Sequence, residues 1–173
     1  MMYKNGAGWY AVFVATGEED KVKARINFRM QDRLRAIVPK RRLKERREGR
    51  WEDKIRTLFP GYILLNGMIS NETYGLVRDI PGVIRFLRDK DGPLQIHKSE
   101  IEVIGKLTAD CEIIGYSRVY VTGEKVTVID GPLYGMEGCI KSIDKRKGRA
   151  KVLLNIMNEP RLVELSVALV QPA

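Results

Sequence analysis

The stretch VTGEKVTVIDGPLYGMEGCIKSID, Val121–Asp144, carries the strongest fold signal in the C-terminal part of the chain. Apolar and polar residues alternate on both sides of a glycine-dense centre, which predicts two strands joined by a shaped loop. A helix is excluded here, because glycine interrupts helices and serves positions with positive φ or close backbone approach. The glycines concerned are Gly123, Gly131, Gly135 and Gly138.

The residues downstream continue the β pattern at short spacing. Together with the two strands of the opening stretch they predict a small all-β barrel over residues 121–173. The five predicted strands are 124–129, 138–143, 150–156, 161–165 and 167–170. Within the loop, we expect Gly131 and Gly138 to shape the turn, and Tyr134 and Met136 to present their side chains.

The residues upstream of the barrel mix strand and helix patterns. WYAVFVA (Trp9–Ala15), FPGYILLN and PGVIRFLR are typical of strands. Three helices are predicted. The first follows a capping box at Thr16–Glu19, and the third follows a second capping box, Ser99 to Glu102. The second helix is capped by Ser70 or Asn71 and reaches Val77. Because the order lacks clean βαβ repeats, we predict an α+β fold, an antiparallel sheet packed with helices. The predicted domains are 1–110 and 121–173, with 111–120 as a short linker.

Positive charge is concentrated in one segment. The chain carries 31 Lys and Arg against 22 Asp and Glu, a net charge of +9. Residues 33–56 alone hold eleven basic and four acidic residues, a net +7. This segment is typical of an exposed hairpin arm with its turn near Gly49. A polyanion such as nucleic acid is the expected partner, although a merely solvated arm has the same composition.

Several classes of protein are disfavoured by the sequence. Cys111 and Cys139 offer no disulfide framework, so we expect a reducing cytoplasm. No apolar run approaches the length of a membrane span, and neither a cofactor nor a metal site is predicted. The glycines at 131, 135 and 138 match no nucleotide-binding motif, and His97 is the only histidine. A hydrolase or nuclease would need clustered carboxylates or metal ligands, so we do not expect an enzyme.

Four segments, in order along the chain, resemble the NusG family of transcription elongation factors. They are WYAVFVATGEEDKVKARI, LFPGYILLN, LVRDIPGVIRFL and GEKVTVIDGPLYGMEGCIKSID. The resemblance implies an NGN domain of α+β fold followed by a KOW domain, a five-stranded SH3-like β-barrel. It also implies a monomeric factor that works on RNA polymerase, with nascent RNA, such as a hairpin, and nontemplate DNA as further candidate partners.

The resemblance implies a docking surface for the clamp helices of the largest polymerase subunit. The residues expected there are Phe13, Phe59 and Tyr62, with Thr73 and Tyr74 facing the opposing part of the polymerase. Trp9 and Leu64 lie in the same motifs, but strand alternation favours the core for them. The alternative for the whole set is an ordinary domain core and helix surface.

A second set of residues is predicted to bind RNA. Basic side chains would hold phosphates and Tyr134 would stack on a base, although a solvated turn explains the same cluster around DKRKGRAK. The candidates are Arg42, Arg46, Arg47, Lys125, Tyr134, Lys141, Lys145, Arg146, Lys147, Arg149 and Lys151.

Two features depart from the general pattern of the family. The first is the loop GPLYGMEG, which stands where general members often have residues like GPFADFNG. The second is the arginine-rich arm with the short linker, which resembles specialised paralogs of the LoaP type. Those paralogs act as antiterminators on selected operons. The leading hypothesis is therefore a specialised elongation and antitermination factor. The alternatives are a housekeeping NusG-type factor and a ribosome-associated RNA-binding module.

Overall fold

The computed structural model describes residues 7–109 and 111–171. These residues form two compact units: Phe59–Glu102 with the described part of Met1–Val38, and Pro39–Leu58 with the described part of Val103–Ala173. In chain order the elements are β1 (Gly8–Val14), α1 (Glu19–Met30), β2 (Leu34–Ile37), β3 (Lys40–Arg47), β4 (Arg50–Thr57), β5 (Tyr62–Gly67), α2 (Asn71–Arg78), β6 (Val83–Phe86), β7 (Arg88–Asp89), β8 (Gly92–Pro93), α3 (Lys98–Thr108), β9 (Ile113–Ile114), β10 (Ser117–Thr122), β11 (Lys125–Asp130), β12 (Ile140–Asp144), β13 (Arg149–Ile156) and β14 (Glu159–Leu169).

The first unit is built on an antiparallel sheet with strand order β2-β5-β1-β6. Strand side chains alternate between faces, so β1 directs Val12 and Val14 into one buried cluster. Helix α1 contributes residues four apart, Val22, Ile26 and Met30, to the same cluster. Each such side chain stabilises the fold by about 1.5–3 kcal/mol when fully buried. The predicted α+β architecture is confirmed.

Both helices that were predicted to start with a capping box begin differently, whereas the cap predicted for the second helix is present. Helix α1 begins at Glu19, and its preceding residue makes no side-chain cap. Glu19 instead accepts hydrogen bonds from the backbone N–H groups of Gly17 (2.8 Å) and Gly61 (2.9 Å), a tertiary link that sequence periodicity does not reveal. Ser70 caps α2 as predicted, in a capping box with Thr73. Helix α3 begins at Lys98, so Ser99 lies inside its first turn.

The second unit contains a five-stranded sheet with order β11-β10-β14-β13-β12, which confirms the predicted five-stranded β architecture. Two strands differ from the prediction. The segments 161–165 and 167–170 form one continuous strand, β14, and the fifth strand is β10, which pairs in parallel with β14. The predicted linker 111–120 therefore contains β9 and the start of β10. Ser117 and Val119 are buried there, but the polar residues around them obscure the strand pattern in the sequence.

Strands β3 and β4 form the predicted basic hairpin, with its turn at Glu48 and Gly49, both at positive φ. The hairpin belongs to the second unit, although the predicted boundary near residue 110 placed it with the first. The edge of β3 that faces away from β4 explains why the hairpin belongs to the second unit. Beyond the short pairing with β9, the carbonyl groups on this edge need donors. Ser166 Oγ donates to the Arg42 carbonyl (2.5 Å), and Arg149 Nη2 donates to the Lys44 carbonyl (2.9 Å).

Candidate functional site

A row of three side chains crosses the sheet of the first unit. Phe13 on β1 lies opposite Tyr62 on β5 and Arg85 on β6. The two rings are 4.7 Å apart, and the Arg85 guanidinium lies 4.6 Å from the centre of the Phe13 ring. Both aromatic side chains are half-buried, and the neighbouring Ile84 is exposed. This aromatic row (Phe13, Tyr62, Arg85) offers apolar and cation–π contacts to a partner.

Two residues expected at the docking surface are buried instead. Phe59 is 4% exposed and Thr73 is 6% exposed, so neither presents its side chain at the surface. Thr73 is occupied by the cap of α2, where its Oγ1 accepts a hydrogen bond from the Ser70 N–H at 2.7 Å. Phe59 precedes a tight turn in which the Tyr62 N–H donates to the Phe59 carbonyl. Trp9 and Leu64 are in the core, as predicted.

Tyr74 on α2 stays partly accessible. Its ring stacks on Phe86 with centroids 4.7 Å apart, and Arg88 Nη1 donates to its hydroxyl at 3.2 Å. Tyr74 and Arg88 both line a small cleft of about 240 Å³ at the start of α2. The exposed part of this helix surface therefore carries a tyrosine whose hydroxyl is bound by Arg88 and whose ring lies 5.8 Å from both Arg78 and Arg88.

The second unit contains a cleft of about 610 Å³ between the hairpin and the turn that precedes β13. We call it the basic cleft, because six of its eight lining side chains are basic and one is acidic. Four predicted RNA-binding residues, Arg46, Arg47, Lys147 and Arg149, meet here although about 100 residues separate them in sequence. The lining residues are Glu45, Arg46, Arg47, Trp51, Lys54, Arg56, Lys147 and Arg149.

The one acidic group of the basic cleft is already neutralised. Arg56 Nη2 donates to the Glu45 carboxylate at 2.6 Å, and this hydrogen bond lowers the pKa of Glu45. The cleft therefore presents a positive field to an anion. Sequence reasoning missed Trp51, Lys54 and Arg56 as members of this site. The signal that could have found them is a tryptophan placed inside a run of charged residues, RREGRWEDK.

The remaining predicted RNA-binding residues are dispersed. Lys141 and Lys145 line a second cleft of about 450 Å³ near Glu124. Among the described residues, Arg42, Lys125, Tyr134, Arg146 and Lys151 line neither this cleft nor the basic cleft.

The glycine loop presents fewer side chains than expected. Tyr134 is 60% exposed, and its backbone carbonyl accepts a hydrogen bond from Lys106 Nζ at 2.7 Å. Met136, which we expected to be presented with Tyr134, is buried together with Leu133. The loop uses these two apolar side chains to close the core. Its positive-φ glycines are Gly131 and Gly135, and Gly138 is not among them.

A tyrosine fixes the second strand of the hairpin. The Tyr116 hydroxyl donates a hydrogen bond to the Asp53 carboxylate, and Lys44 lies 5.7 Å from the Tyr116 ring centre. Burial, followed by the Asp53 hydrogen bond, raises the pKa of Tyr116 to about 12. The hydroxyl therefore stays protonated and donating throughout the physiological pH range.

Comparison with known proteins decides the family. Residues 7–105 match the family model described as NusG, transcription termination factor nusG. The chain belongs to the NusG family. The transcription termination/antitermination protein NusG of Rickettsia prowazekii (strain Madrid E) is 33% identical over 165 residues, covering 91% of this chain and 86% of that protein. The protein of the same name from Thermus thermophilus is 28% identical over 184 residues, covering 95% and 98%.

A solved structure supports the same assignment over most of this NusG-family chain. The structure described as domain interaction in Thermotoga maritima NusG aligns with a TM-score of 0.63 at 27% identity. It covers 92% of this chain and 93% of that one. The resemblance read from the four sequence motifs is therefore confirmed at the level of the NusG family, including the β architecture that follows residue 105.

Two further observations concern membranes and metals. In residues 7–109 and 111–171, no helix is long and apolar enough to cross a membrane. The same part of this NusG-family chain contains no group of three or more His, Cys, Asp or Glu side chains that could hold a metal ion.

Proposed function

We propose that this chain is a transcription elongation and antitermination factor that docks on the clamp helices of the largest RNA polymerase subunit. The observation that carries the docking proposal is the aromatic row. Phe13 and Tyr62 leave part of their rings exposed, although most other apolar side chains of β1 and β5 are buried. Partly exposed aromatics beside an arginine are the residue types that dominate the binding energy of protein interfaces.

The proposed docking surface also includes Tyr74, on the helix surface that resembles the part of the family that meets the opposing side of the polymerase. Arg88 holds the tyrosine hydroxyl, which limits the conformational entropy that ordering the side chain would cost on binding. Phe59 and Thr73 support their neighbours from the interior.

The docking proposal is tested with the double variant Phe13→Ala and Tyr62→Ala. We expect it to lose co-purification with RNA polymerase while circular dichroism stays close to that of the unmodified chain. The matched control is Phe28→Ala, because Phe28 is an aromatic side chain 83% exposed on α1. Polymerase retained by the double variant, with the fold intact, means that the docking surface lies elsewhere.

We further propose that the chain is a specialised paralog of the LoaP type, recruited in part by a nascent RNA structure. Its support is the concentration of a net +7 charge in residues 33–56 and the basic cleft that this segment builds with Lys147 and Arg149. Basic side chains that neutralise phosphates release counterions, which favours RNA binding. Nontemplate DNA is a second polyanion that the same charge would attract.

Genome-wide occupancy separates the specialised paralog from a housekeeping NusG-type factor. We expect chromatin immunoprecipitation to find the factor on a small set of transcription units, downstream of the RNA element that recruits it. Occupancy that follows polymerase on nearly all units would favour the housekeeping alternative. Co-sedimentation with ribosomes and none with polymerase would favour the ribosome-associated module.

A further inference from the structure

Trp51 is the one aromatic side chain among the residues that line the basic cleft. It lies on β4 directly opposite Arg46 and is 45% exposed, whereas Trp9, the other tryptophan of the chain, is 7% exposed. A tryptophan exposed to this extent forgoes part of the stabilisation that burial of its large ring would give. A ligand that covers the indole ring would supply the missing burial and its stabilisation.

The charges around Trp51 are of the kind that phosphate groups need. Arg46, Arg47 and Lys147 are exposed, and in the described part of the chain no salt bridge engages their side chains. Their donors are therefore available to a ligand. Guanidinium groups in particular suit phosphate oxygens, because their planar fork can donate two parallel hydrogen bonds.

The walls of the basic cleft are held in place before any ligand arrives. Arg149, whose side chain is 15% exposed, donates to Glu164 at 2.8 Å and to the Lys44 carbonyl at 2.9 Å, so it joins β13 to the hairpin. Tyr116 and Asp53 attach the opposite strand of the hairpin. A site that is already ordered loses less conformational entropy on binding.

We propose that the basic cleft binds one unpaired RNA base stacked on Trp51, with the flanking phosphates held by Arg46, Arg47 and Lys147. This inference rests on the RNA recruitment proposed above and names the feature of the RNA that is recognised. A paired base has both faces covered by its neighbours in the helix, so only a bulged or looped-out base can offer a face to the indole. The phosphates supply affinity, and the stacked base supplies the preference for unpaired RNA.

The test measures binding of three fluorescein-labelled hairpins by anisotropy: an RNA hairpin with one bulged adenine, the same RNA fully paired, and the bulged hairpin as DNA. We expect the unmodified chain to prefer the bulged RNA. Trp51→Ala should weaken binding of the bulged RNA by roughly 5- to 150-fold, the range that stacking on an aromatic side chain supplies per base, with little effect on the paired hairpin. Trp51→Phe should keep most of the preference, and Phe28→Ala all of it.

Intrinsic fluorescence gives an independent readout without mutation. Because Trp9 is buried, quenching on titration should report Trp51, and we expect the bulged RNA to quench more than the paired one. Equal binding of bulged and paired RNA by the unmodified chain, or an unchanged preference in Trp51→Ala, overturns the stacking proposal. Tighter binding of the DNA hairpin overturns the assignment to RNA.

A charge variant separates failure of this inference from failure of RNA recruitment. Arg46→Gln with Arg47→Gln should weaken all three hairpins, because phosphate contacts carry no information about pairing. If this variant binds more weakly while Trp51→Ala behaves like the unmodified chain, RNA binding stands and the stacked base is wrong. If neither variant changes binding, the basic cleft binds no RNA and both proposals fail.

Discussion

Gly131 shows at the residue scale that the three glycines of the loop between β11 and β12 are not equivalent. Its φ is +99°, and a Cβ added there would lie 2.6 Å from Ser117 Cα and 2.7 Å from the Tyr116 carbonyl oxygen. Gly135 has a φ of +78° with only the Lys106 Nζ nearby, at 3.4 Å. Gly138 has no positive φ, and a Cβ there would meet open space. The loop therefore needs glycine most where it packs on the start of β10.

We expect Gly131→Ala to lower the free energy of unfolding by about 1–3 kcal/mol through the strained backbone conformation alone. The clash of the new Cβ with the backbone of Tyr116 and Ser117 should add to this cost. Gly138→Ala should change it by less than about 0.5 kcal/mol. Denaturant unfolding of both variants measures the difference. Equal stabilities would mean that the loop leaves the start of β10 in solution.

Tyr116 should make stability depend on pH in the alkaline range. Its pKa is raised from 10.0 to about 12 in the folded chain, so the folded state holds this proton more tightly than the unfolded state. The contribution to stability is therefore complete below about pH 10 and is lost as the pH rises to about 12. In Tyr116→Phe the melting temperature should fall less over this range than in the unmodified chain. Tyr134→Phe, which changes an exposed tyrosine, is the control, and an identical fall in all three proteins would contradict the prediction.

At the scale of elements, the hairpin β3–β4 depends on the barrel strands for its order. An isolated two-stranded hairpin is marginally stable in water, and this one carries mostly charged residues. Ser166 Oγ and Arg149 Nη2 donate to the Arg42 and Lys44 carbonyls of β3. In the other direction, Arg41 Nη1 on β3 donates to the Glu164 carbonyl of β14 at 2.8 Å. The bonds to the Arg42 and Lys44 carbonyls extend the pairing of β3 with β9, so more of the strand edge that faces away from β4 is satisfied.

Arg149→Met keeps the length of the side chain and removes its donors to Glu164 and Lys44. We expect the free energy of unfolding to fall by about 1.5–3 kcal/mol, the range for hydrogen bonds that involve a charged group. Trypsin should also cut faster at Arg46, Arg47 and Arg50, as followed by mass spectrometry. Lys147→Met, which changes an exposed cation in the turn before β13, is the matched control. Unchanged cleavage in Arg149→Met would show that the hairpin is ordered without this anchor.

At the scale of the whole molecule, the net charge of +9 is unevenly spread, so its effect on nucleic-acid binding should depend on position. The test variant combines Lys145→Gln, Arg146→Gln and Lys147→Gln, and the measurement is the slope of log affinity for hairpin RNA against log salt concentration. We expect this slope to become less steep by up to about 0.9 for each phosphate that is no longer neutralised. The control neutralises Arg29, Lys90 and Lys98, which changes the net charge equally in the first unit. Equal slopes in the two triple variants would mean that only net charge matters.

The elements whose signals are local could be predicted from the sequence alone. These signals are the aromatic and β-branched run Trp9–Ala15, the alternation in Val121–Asp144, the Ser70 cap and the charge run of residues 33–56. All of them act between neighbours in the chain, so they predicted the α+β part, the five-stranded β part and the hairpin. The NusG motifs are likewise contiguous and identified the family.

Which distant residues meet could be learned only from the tertiary structure. Interactions between separated segments bury Phe59, link Glu19 to Gly61 and add β10 to the barrel. The same holds for the basic cleft, where Trp51 meets Lys147 and Arg149. Such interactions form because edge carbonyls, buried carboxylates and apolar rings must find partners, and the partner is set by packing in three dimensions, which no spacing along the sequence records.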